Sequence, residues 1–70
     1  MALDAPRSRV LEDALASRHE EGLERSLGRA VRRHGGDYED YVDLIGLVRE
    51  LARTRKTGLR EAARILAAHP

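Results

Sequence analysis

Residues 41–52, YVDLIGLVRELA, decide the fold, because they form the most apolar run in the sequence. Their apolar side chains recur at offsets of three and four residues, which is the spacing of a helix face. These side chains cover more than half of the helix circumference, whereas a helix with one buried face needs a stripe of only about 100°. The run therefore predicts a central core helix, over about residues 38–54, with packing partners on two sides.

A turn precedes this helix at residues 32–37, RRHGGD. The two arginines place cations in the last turn of a preceding helix, where they suit its dipole. Gly35 can take the left-handed conformation that commonly ends a helix. Asp37 is a typical N-cap residue, so we expect it to begin the central helix.

A second apolar stripe covers residues 6–33 and repeats every four positions. Its members are Leu11, Leu15, Leu23, Leu27 and Val31, with His19 in the gap. Four residues turn a helix by about 400°, so the stripe drifts by about 200° over its length. Either one long helix wraps across a partner, or the helix breaks near residues 17–22, where Ser17 and Glu20 match a capping box. We expect one helix over residues 6–33, bent near residues 17–22.

The remainder of the chain predicts one more helix. A polar connection over residues 53–58 ends the central helix, and Thr57 is the expected cap of a last helix over residues 58–68. The predicted fold is therefore all-α, with residues 1–70 in one domain. It is a small three-helix bundle, or a four-helix bundle if the first helix breaks. A long N-terminal helix of about 40 Å would be packed by a shorter C-terminal helical hairpin, which would leave part of its stripe uncovered.

Composition argues against several classes of function. The chain has no cysteine, which excludes disulfides and thiolate metal sites. No nucleophile elbow, phosphate-binding loop or zinc-protease motif occurs. His19 has no second ligand on its helix face, and we interpret His34 as a partner of the helix dipole and Asp37 as a helix cap rather than as metal ligands. We therefore expect no enzyme, no metal and no cofactor. Residues 1–10 lack the apolar core of a signal peptide and no apolar run could cross a membrane, so a cytoplasmic protein is expected.

Charge is distributed unevenly along the chain. Its net value is +1, but residues 34–48 carry four acids and no Lys or Arg, and residues 49–70 carry six bases and two acids. Acids at the start of a helix and bases at its end are what the helix dipole favours. The aromatic residues are Tyr38 and Tyr41 alone, and we expect no exposed aromatic side chain. A nucleic-acid surface usually has more net positive charge or exposed aromatics.

The apolar surplus predicts a non-enzymatic protein–protein interaction module. It would act as a homodimer, or as a small subunit or adaptor, through recognition of a helix face. A chain of 70 residues without disulfides has marginal stability alone, which also favours self-association. The candidate partner-binding residues are Leu11, Leu15, Leu23, Leu27, Leu44 and Leu47.

The alternative is a small DNA- or RNA-associated regulator that uses the basic turn over residues 53–60. Its phosphate contacts would then come from Arg53, Arg55, Lys56 and Arg60. This interpretation ranks second because the same charges also suit the end of the central helix.

Overall fold

The computed structural model describes residues 4–16 and 22–68, and this part of the chain is all-α. The prediction of an all-α fold is confirmed. The helices described are α1 (Ala5–Ala16), α2 (Leu23–Arg33), α3 (Tyr38–Arg55) and α4 (Leu59–Ala68). Helix α1 packs against α2 and α4, and helix α3 packs against the same two helices.

The prediction of one continuous helix over residues 6–33 is wrong. Gly22 has an extended backbone (φ −66°, ψ 161°) and begins α2, and α1 packs against α2 instead of continuing into it. The physical reason is the drift of the leucine stripe. A straight helix would present Leu11 and Leu27 to different sides, whereas two helices folded on each other bury both in one core. Ser17 and Glu20 of the predicted capping box lie outside the described residues.

The turn between α2 and α3 forms as its sequence predicts. Gly35 has a φ of +80°, and the Gly36 amide donates to the Val31 carbonyl at 2.8 Å, which closes the end of α2. Asp37 then begins α3 with a reciprocal capping box. Its carboxylate accepts from the Asp40 amide at 3.1 Å, and the Asp40 carboxylate accepts from the Asp37 amide at 2.9 Å.

The turn between α3 and α4 uses a residue other than glycine in the left-handed region. Lys56 has a φ of +53°, and the Thr57 amide donates to the Ala52 carbonyl at 2.9 Å. This conformation costs a non-glycine residue about 1–2 kcal/mol. Helices α3 and α4 otherwise agree with the predicted ranges to within one residue at each end.

The core combines leucines with small side chains. Leu11, Leu27 and Val48 are fully buried, and so are four alanines that allow the helices to approach closely. The complete set of buried apolar residues in the described part is Val10, Leu11, Ala14, Leu23, Leu27, Ala30, Val31, Leu44, Ile45, Val48, Ala52, Ala62, Ala63 and Leu66. A chain without Phe or Trp thus closes its interior by proximity of backbones instead of by large rings.

Candidate functional site

Most of the predicted partner-binding leucines are core residues. Leu11 and Leu27 have no exposed surface, and Leu23 and Leu44 are also buried. The prediction that these four side chains form a partner-binding surface is therefore wrong. They hold the chain's own helices together and are not on its surface. Leu15 and Leu47 are partly buried at the edge of the core. The break before α2 explains the difference, because it lets α1 and α2 cover each other's stripes.

Leu47 lies in a groove between α3 and α4 whose lining is mostly apolar. The cavity has a volume of about 490 Å³. Leu47 and Leu51 are four residues apart and hence on one face of α3. Ile65 and Leu66 line the opposite wall from α4. We call this cavity, with these four side chains as its floor, the α3–α4 groove. Leu47, Leu51 and Ile65 each keep part of their surface exposed to solvent.

The rim of the α3–α4 groove is polar and mostly occupied by local bonds. Both Glu50 carboxylate oxygens accept from the Arg53 guanidinium, at 2.8 and 2.7 Å. The Thr54 hydroxyl donates to the Glu50 carbonyl at 2.9 Å. Arg55 completes the rim and forms no ion pair with a carboxylate in the described residues. An apolar floor with such a rim suits the apolar face of an amphipathic helix.

The predicted basic turn is divided between different partners. Arg53 is held by Glu50, and Arg60 donates to the Leu15 carbonyl at 3.3 Å, where it satisfies a carbonyl in the last turn of α1. Arg55 and Lys56 are exposed and have no carboxylate partner in the described part of the chain. The structure therefore does not bring the four cations together around one anion.

His34 is the histidine within the described residues, and it lies against a carboxylate of another helix. His34 follows α2, and its imidazole lies 3.3 Å from the Asp13 carboxylate of α1, which Arg33 also approaches at 3.6 Å. His19 lies outside the described residues. Within residues 4–16 and 22–68, no cluster of His and carboxylate side chains could hold a metal ion.

The expectation that aromatic side chains would not be exposed is wrong. Tyr38 is 76% exposed, and its ring centre lies 6.0 Å from that of Tyr41. Tyr41 is partly buried beside Gly28 of α2, and burial together with the Glu24 carboxylate raises its pKa. The exposure of Tyr38 could have been predicted from the sequence. Tyr38 directly follows the Asp37 cap, so it is the first residue of α3 and precedes the buried stripe of that helix.

Comparison of the chain with protein-family models, with curated proteins and with solved structures found no match. Among the described helices, none combines the length and the apolar character needed to span a bilayer.

Proposed function

We propose that the chain is a non-enzymatic protein–protein interaction module that accepts an α-helix in the α3–α4 groove. The helix would belong to a second copy of the chain or to a larger assembly in which this chain is a small subunit. The observation that carries the proposal is the partial exposure of Leu47, Leu51 and Ile65 side by side in one groove. Isolated apolar residues on a surface need no explanation, but adjacent ones that line a groove are typical of binding sites.

In this proposal the four helices act as one bundle, in which α3 and α4 form the hairpin that presents the groove. A partner helix would insert apolar side chains at spacings of three and four residues between Leu47 and Ile65. Removing these side chains from water would supply the binding energy, at about 25 cal/mol for each Å² of apolar surface buried. The rim residues Glu50 and Arg55 would select partners by charge more than they would add affinity.

Sedimentation velocity tests the self-associating form of the proposal. We expect the sedimentation coefficient of the unmodified chain to rise between micromolar and near-millimolar concentrations. Leu47→Glu should abolish the rise, because it places a charge on the floor of the groove. Val42→Glu adds the same charge to α3 outside the groove lining, and it should leave the rise intact.

Equal loss of association in both variants would contradict the groove as the contact surface. A chain that stays monomeric at every concentration would eliminate the homodimer. Circular dichroism of Leu47→Glu provides the necessary control, since Leu47 also packs against the core.

A further inference from the structure

Two further clefts meet at the turn between α2 and α3, where Val31 and Gly36 line both. The first, of about 430 Å³, lies between α2 and the start of α3. The second, of about 420 Å³, lies between the start of α1 and the same turn. We call them together the basic clefts, because arginines line both: Arg25, Arg29 and Arg32 in the first, and Arg7 and Arg9 in the second.

Four of these arginines are available to a ligand. Their side chains are exposed and form no ion pair with any carboxylate in the described part of the chain. They are Arg7, Arg9, Arg25 and Arg32. Arg25 and Arg32 are seven residues apart on α2, which spaces their backbones by about 10 Å along the helix. Guanidinium groups bind phosphate oxygens in pairs of parallel hydrogen bonds.

The carboxylates of the basic clefts are already committed within the chain. Asp4 accepts from the Arg7 amide at 3.0 Å, and Asp37 and Asp40 cap α3. Glu24 pairs with Arg49 at 2.8 Å. All four of these acids sit at helix N-termini, where the positive end of the helix dipole offsets part of their charge. The clefts are therefore more attractive to anions than a count of their charged residues indicates.

Tyr38 adds an aromatic surface to the first cleft. Its ring lines the cleft together with Tyr41, and its 76% exposure leaves a face open to a ligand. The Tyr38 ring is not among the side chains packed against the core, so a ligand can reach it without disturbing the fold. Such a ring beside free arginines provides both a stacking surface and phosphate ligands.

We propose that the basic clefts bind single-stranded nucleic acid, with Arg7, Arg9, Arg25 and Arg32 against phosphates and Tyr38 stacked on a base. A positively charged groove with an aromatic platform is the combination by which proteins bind single strands without sequence preference. An acidic peptide would satisfy the arginines, but its carboxylates would leave the Tyr38 ring uncovered. This site differs from the basic turn over residues 53–60 and is independent of the α3–α4 groove.

Fluorescence anisotropy with short labelled oligothymidine and oligouridine tests this proposal. We expect Arg25→Ala/Arg32→Ala to weaken binding on the order of tenfold. The same variant should lower the slope of log K against log salt by about 1.4, since each phosphate contact on a single strand contributes about 0.7. Tyr38→Ala should weaken binding about fivefold or more, whereas Tyr38→Phe should retain it. All of these positions are exposed, so the variants should keep the fold, which thermal unfolding verifies.

The matched control is Arg55→Ala/Lys56→Gly, which removes two exposed cations from the other end of α3. Glycine at position 56 suits the positive φ found there. This control should leave the salt slope unchanged. Four results would overturn the proposal: no binding to either oligonucleotide at low salt, an equal loss of affinity in the control variant, equal affinity for a DNA duplex of the same length, or equal affinity for polyglutamate. The last would identify an acidic protein segment as the ligand class.

Discussion

Leu27→Ala is expected to cost about 2–5 kcal/mol of folding free energy and to leave much of the chain unfolded at physiological temperature. Leu27 has no exposed surface and lies in the core where α2 packs against α1. Its truncation removes apolar contacts and leaves a cavity that short helices fill incompletely. A 70-residue chain has a total stability of only about 4–10 kcal/mol, so this loss is a large part of the whole.

Urea denaturation followed by far-UV circular dichroism measures this effect. Val42→Ala is the control, because Val42 is 43% exposed and its truncation should cost well below 1 kcal/mol. Similar shifts of the urea midpoint in Leu27→Ala and Val42→Ala would contradict this prediction, because Leu27 would then not be a core residue between the packed helices α1 and α2.

Gly36→Ala is expected to destabilise the chain by about 1–3 kcal/mol. A Cβ atom at this position would lie 2.8 Å from Val31 Cγ1 and 2.9 Å from Asp40 Oδ2. The Val31 side chain is buried and the Asp40 carboxylate holds the Asp37 amide, so neither moves without loss. Either the capping box opens, which alone costs about 0.5–2 kcal/mol, or the turn after α2 widens.

Gly46→Ala makes the same chemical change with the opposite expected sign. Gly46 is exposed in the middle of α3, and nothing lies within 4 Å of the position its Cβ would take. Alanine there should stabilise the helix by roughly 0.5–1 kcal/mol. Thermal unfolding of the two variants side by side measures both effects. A neutral or stabilising Gly36→Ala would contradict the close packing described for the turn between α2 and α3.

The features that sequence predicted best are those whose cause is local. Gly35 and Asp37 ended one helix and began the next as expected, because left-handed glycine and N-cap carboxylates act within a few residues. The all-α class followed from the periodicity of residues 41–52 for the same reason. The end of helical structure at Gly22 was not decided locally. Both flanking segments are good helix formers, and the pairing of α1 with α2 overrides that preference.

The candidate site was predicted in part, and the error follows from the helix break. A 40 Å helix packed by two shorter ones would have left leucines such as Leu11 and Leu23 uncovered. Two helices of 12 and 11 residues instead match α4 in length and cover each other. Leu47 remained at the surface because it lies beside the core stripe of α3, facing Ile65 and Leu66. The spacing of apolar residues along one helix does not indicate which neighbouring helix a residue beside the core stripe will face. The α3–α4 groove could therefore be identified only from the tertiary structure.

Site-specific photo-cross-linking is the most direct test of the central claim that the α3–α4 groove holds a helix of another protein chain. A photoreactive amino acid replaces Ile65 in the groove or, as the matched control, its neighbour Arg64, which is exposed outside the groove lining. Irradiation is carried out in cells of the organism that encodes the chain. We expect a defined adduct, either with a second copy or with one partner, from position 65 and not from position 64, and Leu47→Glu should abolish it. No adduct from position 65, or the same adducts from both positions, would contradict the account.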